Sequence, residues 1–124
     1  MRQLKFSVGI DIEEVSRLRF SAKNSRFLGR VFTRDEISYY RSEGKGAQSL
    51  AGMYAAKEAT IKALSQLESL EYSLNDIEIG HEKGIPFVKK LRHGGAAIAK
   101  HFEFSLSIAH TRNEAVAVVV VRRK

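Results

Sequence analysis

The chain has no cysteine, no tryptophan and a single proline, Pro86, among 124 residues. Without cysteine, disulfides and thiolate metal sites are excluded. A cysteine-free chain suits a reducing compartment, although any compartment permits one. Long apolar runs are also missing. The longest, Ala115 to Val121, is strand-like and far short of the ~20 residues of a membrane span. The opening Met1-Arg2-Gln3-Leu4-Lys5-Phe6 lacks the apolar core of a secretory signal. Acidic residues are the minority, 14 against 21 lysines and arginines, for a net charge of +7. That excess favours an acidic partner: nucleic acid, an anionic membrane, an acidic protein or a phosphorylated small molecule. These features together read as a soluble, cytoplasmic protein, and with no repeats, low-complexity segments or linkers residues 1–124 read as one domain.

What is present divides into clear elements. Leu4 to Ile12 alternates, with Leu4, Phe6, Val8, Ile10 and Ile12 on one face and Lys5, Ser7, Gly9 and Asp11 on the other. This is a period-two strand, expected to bury its greasy face. Asp11 then points away from that face, beside a glycine that leaves room for a ligand. Glu13 to Phe20 predicts a short helix. Thr33-Arg34-Asp35-Glu36 has the form of a capping box, opening a helix that ends near Gly44. Ala47 to Leu67 is the strongest helix, rich in Ala, Leu, Lys and Glu. Leu50, Tyr54, Ile61 and Leu64 are its bulky apolar residues. Ala51, Ala55, Ala59 and Ala63 form a narrow stripe that admits a close neighbour. Ile77–Ile79 and Pro86–Val88 flank a hairpin at His81-Glu82-Lys83-Gly84. Gly94 to His101 predicts a short helix. Phe104 to Ile108 is a half-buried strand, Thr111–Glu114 a turn, and Ala115 to Val121 a well-buried strand. The order β-α-α-α-β-β-α-β-β implies an α+β fold with a mainly antiparallel sheet.

Three stretches could carry chemistry. Gly9-Ile10-Asp11-Ile12 with Arg17 puts a carboxylate on a strand, where it is costly unless paired or metal-bound. Ala55-Ala56-Lys57-Glu58-Ala59 with Lys62 puts a carboxylate and two ammonium groups on a helix, Glu58 and Lys62 sharing a face. Ser107-Ile108-Ala109-His110-Thr111 puts an imidazole and a hydroxyl at a strand end. Taken singly each has a plain reading: a capping carboxylate, a surface ion pair worth ~0.3–0.5 kcal/mol, a solvated histidine. Two carboxylates with lysines also make a minimal kit for holding a hard cation against a phosphate ester.

These stretches, together with Phe32-Thr33-Arg34-Asp35-Glu36, stand in an order and spacing that resembles the holo-acyl-carrier-protein synthases, of the 4'-phosphopantetheinyl transferases. The resemblance runs from about residue 6 to residue 121. It implies the fold of that family and transfer of the 4'-phosphopantetheine arm of coenzyme A to a serine of apo-acyl carrier protein, with adenosine 3',5'-bisphosphate leaving, for fatty acid biosynthesis. By motif position it implies Asp11 and Glu58 as ligands of Mg2+. Glu58, or a water it orients, is then the base, and Lys62 stabilises the leaving phosphate. Lys57 is a weaker phosphate candidate. His110 and Thr111, and the Gly84-Ile85-Pro86 turn, are placed near coenzyme A, with Ser107 less so. The partner would be an acidic carrier protein docking on Arg17, Arg26, Arg30 and Arg34, and the chain a homotrimer with sites between subunits. One departure stands out. The family's glycine-rich loop after Lys-Ala is replaced here by Leu64-Ser65-Gln66-Leu67-Glu68-Ser69-Leu70-Glu71, so either the helix runs longer or phosphate contacts come from elsewhere.

Two other readings use parts of the same pattern. A small basic nucleic-acid-binding module accounts for the charge but leaves Asp11 unexplained. Phe20, Phe27, Phe32, Tyr39 and Tyr40 are also spaced as core residues rather than as a base-stacking platform. A metal-dependent phosphodiesterase would use the same Asp, Glu and Lys to hydrolyse rather than transfer.

Overall fold

The computed structural model describes residues 4–43 and 46–124. Strand β1 (Phe6–Glu14) leads into three short helices, α1 (Val15–Ser21), α2 (Ser25–Val31) and α3 (Arg34–Ser42), and then the long α4 (Ala47–Leu67). Five strands follow: β2 (Ile77–Glu82), β3 (Ile85–His93), β4 (Ala96–Ala97), β5 (Phe102–His110) and β6 (Glu114–Arg123). All pairings are antiparallel and make two three-stranded sheets, β1-β6-β5 and β2-β3-β4. The fold is α+β.

Helix α4 lies across the first sheet and forms the centre of the core. Its alanine stripe is fully buried, as the sequence implies. The consequence for β1 is the reverse of the expected one. Phe6, Val8, Ile10 and Ile12 are 65%, 51%, 58% and 59% exposed, while Ser7, Gly9 and Glu13 are buried. The cause is the closeness of α4: a Cβ on Gly9 would lie 1.9 Å from the Ala59 carbonyl oxygen. Only a small-residue face fits there. The space beside Gly9 is therefore filled by helix backbone and not left for a ligand. Ser7 Oγ uses the same proximity to donate to the Ala63 carbonyl at 2.6 Å.

Other boundaries moved for local reasons. Glu13 and Glu14 continue β1, because both still pair with β6, so α1 starts at Val15. A further helix, α2, is capped by the Asn24 side chain. The capping box at Thr33 and Glu36 forms as expected. Helix α3 is described to Ser42 with Glu43 as its C-cap, and Gly44 lies outside the described residues. The hairpin closes on Lys83 and Gly84 alone, both with positive φ, as a two-residue primed turn requires. Residues 94–101 are not an α-helix. Gly94 and Gly95 take positive φ, and a two-residue strand and one 3-10 turn follow. Strand β6 is buried only on alternate residues; Val116 and Val118 are half-buried and Val120 is exposed. Among the described residues no helix is long and apolar enough to cross a membrane.

Candidate active site

Alternation along β1 puts Asp11 and Glu13 on the face toward α4, where Glu58 and Lys62 share a helix face. Lys62 Nζ donates to Asp11 Oδ1 at 3.1 Å and to the Ile10 carbonyl at 3.0 Å. One turn further, Gln66 Nε2 donates to the Val8 carbonyl at 2.9 Å. The two helix side chains thus satisfy backbone acceptors on the outer edge of β1, which would otherwise be open to another strand. Lys62 chooses Asp11 over the i,i+4 partner Glu58. Arg17 Nη1 lies 3.4 Å from Glu13 Oε1, and its guanidinium sits 5.6 Å from the centre of the Tyr54 ring.

The electrostatics of this cluster are unbalanced. Burial and the neighbouring Asp11 push Glu13 up to about 8, against the opposing pull of Arg17. Burial and Asp11 also raise Glu58, with Lys62 and Arg17 opposing. Burial and Glu58 raise the Tyr54 phenol. Asp11 Oδ2 is buried and finds no hydrogen-bond donor. Three acidic side chains and an orphaned carboxylate oxygen are an oxygen-rich, electron-rich donor set that a hard dication fits. Among the described residues no three His, Cys, Asp or Glu are placed so that they could hold a metal ion; Lys62 pairs with Asp11 and Arg17 with Glu13.

A second cluster lies at the far edge of the same sheet. A cavity of about 240 Å³ is lined by Tyr39, His81, Gly84, Pro86 and His110, with Gly52 and Ile108. Tyr39 and His81 stack face to face, ring centres 3.9 Å apart and 2° from parallel. Burial lowers the His81 pKa. Thr111 is next in the chain, but its hydroxyl is taken by the Asn113 and Glu114 amides at 3.2 and 3.1 Å. Ser107 lies on the outer sheet face. The register Glu13–Ala115–His110 puts two strand spacings, about 10 Å, between the two edges. The chain brings Asp11, Glu58 and Lys62 together, and Gly84, Pro86 and His110 together, but not the two groups into one cavity.

Helix α4 runs through Ser65–Leu67, and Tyr72 Oη closes the segment beyond it by donating to Glu68. Lys57 is not a phosphate ligand: it is fully buried, paired with Glu36, and donates to the Ile77 carbonyl at 2.6 Å. The arginines are spread out. Arg30 lines a groove with Phe20, Lys23 and Phe27, whereas Arg34 lines a separate cavity with Glu78, Lys90 and Arg92. Three features escaped the sequence reading: Glu13, the Glu36–Lys57 pair, and the Tyr39–His81 stack. Glu13 was legible in principle, since it continues the alternation that places Asp11.

Against known proteins, residues 7–119 match the model of the 4'-phosphopantetheinyl transferase superfamily. The chain belongs to that superfamily. It is 37% identical to a holo-[acyl-carrier-protein] synthase of Caldicellulosiruptor saccharolyticus over 96% of this chain and 98% of the relative. It is 38% identical to one of Clostridium tetani over 92% and 93%. A similar solved structure is the holo-(acyl-carrier-protein) synthase of Bacillus anthracis in complex with CoA (3',5'-ADP), with a TM-score of 0.75, 30% identity, and coverage of 95% and 96%. Another is the Helicobacter pylori synthase in complex with coenzyme A, with a TM-score of 0.73, 31% identity, and coverage of 92% and 98%. These comparisons lend no support to the nucleic-acid-binding or phosphodiesterase readings.

Proposed function

We propose that this chain transfers the 4'-phosphopantetheine group of coenzyme A to a serine of apo-acyl carrier protein. The products are holo-acyl carrier protein and adenosine 3',5'-bisphosphate, and the step serves fatty acid biosynthesis in the cytoplasm. The observation that carries the reading is the convergence of Asp11, Glu58 and Lys62 between β1 and α4, in a chain of this superfamily.

In this reading Asp11 and Glu58 hold Mg2+, which would neutralise the pyrophosphate and polarise the attacked phosphorus. Glu58, its proton affinity raised by burial and by Asp11, takes the serine proton directly or through a water. The serine Oγ–P bond forms as the pyrophosphate P–O bond breaks. Lys62, half-exposed at the mouth of the cluster, meets the charge growing on the leaving phosphate. Gly84, Pro86, His110 and Thr111 belong to the coenzyme A side. Arg17, Arg26, Arg30 and Arg34, although they do not share one patch, are the basic contacts this reading assigns to the acidic carrier.

The same reading makes the chain a homotrimer. An exposed apolar sheet face supports this, as does the separation of the two clusters at opposite sheet edges, which a neighbouring subunit would bridge. The test is intact-mass spectrometry of an apo-acyl carrier protein with coenzyme A and this protein, with Mg2+ or with a chelator. A gain of one phosphopantetheine that needs both protein and metal is expected. No gain on several carrier proteins would overturn the proposal.

A further inference from the structure

Gln66 stands one turn beyond Lys62, in the stretch that replaces the family's glycine-rich loop, and the mechanism above gives it no part. Helix α4 continues through this stretch to Leu67. The Gln66 side chain is exposed, yet its Nε2 crosses to the Val8 carbonyl at 2.9 Å. The spacing explains the reach. Four helix residues rise about 6 Å, and two strand residues span about 6.6 Å. Lys62 and Gln66 therefore meet Ile10 and Val8 in step, like two rungs of a missing neighbour strand. Glu58, one turn before Lys62, is an acceptor when ionised, so the run of donors stops at the base.

Lys62 depends on that strand edge. An ammonium has three N–H donors. One goes to Asp11 Oδ1 at 3.1 Å and one to the Ile10 carbonyl at 3.0 Å. The direction of the third, the one free to meet a phosphate, is set by where those two acceptors lie. The stem of Lys62 is long and flexible and its side chain is 54% exposed, so it has no packed surroundings to hold it. Stabilising a developing charge calls for a donor that is already aimed. The inner face of β1 is held by Ser7 on the Ala63 carbonyl and by Gly9 against Ala59. On the outer edge the hold comes from Lys62 itself and from Gln66. A plain edge guard would be the simpler role for Gln66; losing a guard leads to self-association, not to a slower reaction.

We propose that Gln66 is a positioning residue for Lys62. By holding the Val8 carbonyl it fixes the edge of β1 two residues from Ile10, and with it the direction of the free N–H of Lys62. This rests on the transferase reading above, in which Lys62 meets the charge on the leaving phosphate. The longer α4 then serves that phosphate through an aimed ammonium instead of through loop amides.

The experiment is steady-state and single-turnover transfer from coenzyme A to apo-acyl carrier protein by the full chain. It compares wild type with Gln66→Met, which keeps the length and loses the donor, Gln66→Ala, a second way to lose it, and Gln66→Lys, which restores a donor. Gln66→Met is also made in a Lys62→Ala background. Circular dichroism and the melting midpoint establish that each variant is folded, and light scattering reports self-association. Gln66→Met and Gln66→Ala are expected to lower kcat about fivefold or more with KM for both substrates within twofold of wild type. Gln66→Lys should recover kcat to within twofold. In the Lys62→Ala background Gln66→Met should cost nothing further, because residues that act through one another are not additive. Unchanged kcat in Gln66→Met and Gln66→Ala, with or without self-association, overturns the proposal and leaves the transferase reading standing. A full further loss in the Lys62→Ala background also overturns it, since Gln66 would then act by another route. Wild type that transfers nothing overturns the transferase reading and this proposal with it.

Discussion

Lys62 bridges the side chain of Asp11 and the backbone of the residue before it, with Nζ 3.1 Å from Asp11 Oδ1 and 3.0 Å from the Ile10 carbonyl oxygen. One ammonium therefore both neutralises the carboxylate and seals the strand edge. The side chain is 54% exposed, so the ion pair itself contributes only about 0.2–1 kcal/mol to stability. Its loss should be felt in catalysis. Lys62→Ala is expected to lower kcat of phosphopantetheine transfer by about 100-fold or more while moving the urea midpoint little. A kcat unchanged within threefold would remove Lys62 from the mechanism.

Gly9 reports on how tightly β1 and α4 meet. A methyl group there would run into the Ala59 carbonyl at 1.9 Å and the Ala63 amide nitrogen at 2.9 Å, both backbone and unable to swing aside. Overpacking of this kind costs about 1–3 kcal/mol or more, and here it would also push Asp11 away from Lys62. Gly9→Ala should lower both the unfolding free energy and the transfer rate. A variant as stable as wild type would mean that the helix and strand are not packed this closely.

The same contact explains what the sequence could and could not tell. Strand periodicity placed Asp11 and Gly9 on one face, and helix composition gave α4 its bounds. Periodicity does not say which face is buried, however. The usual inference from greasy side chains failed because the alanine stripe of α4 leaves no room for Phe6 or Ile10 beneath it. The capping residue Glu36 was legible from Thr33, but its second task was not. Its partner Lys57 lies 21 positions away, a separation that no local pattern encodes. His81 and Tyr39 are likewise joined only by the fold.

Glu36 and Lys57 make an ion pair buried on both sides. Glu36 Oε2 also accepts from the Ile79 amide at 2.7 Å, and Lys57 donates to the Ile77 carbonyl at 2.6 Å. The pair ties α3 and α4 to β2. Removing one partner strands a buried charge, which typically costs about 3–5 kcal/mol. Lys57→Met and Glu36→Gln should each be strongly destabilised in urea denaturation, and the double variant should lose less than the sum. Additive losses would show that the two groups do not act as a pair.

Glu13 should leave a signature in the pH dependence of stability of the metal-free protein. Its pKa is raised from 4.5 to about 8 in the fold, so the folded state holds a proton that the unfolded state has released. Stability from this group is complete below about pH 4.5 and is lost as pH rises to about 8. Glu58 and Glu36 are raised too, so the isolating measurement is a difference. The melting midpoint of chelator-treated wild type minus that of Glu13→Gln should fall steadily from pH 5 to pH 8. A flat difference would show that Glu13 ionises freely.

The outer face of the β1-β6-β5 sheet carries the last expectation. Phe6, Val8, Ile10 and Ile12 stand exposed beside Val120, and cross-strand pairs such as Val8–Val120 make them one continuous apolar strip. An exposed apolar strip of this kind suits the subunit interface proposed above. A charge placed in its middle should break association and leave the fold intact, because the side chain already points away from α4. Ile10→Glu is therefore expected to shift the mass measured by light scattering from three chains to one, with an unchanged circular dichroism spectrum. In the proposed trimer, where a neighbour completes the Asp11 and His110 edges, it should also lower transfer activity. A wild type that is monomeric at micromolar concentration would dismiss the assembly outright. A monomeric Ile10→Glu variant with full activity would show instead that one chain suffices for the site.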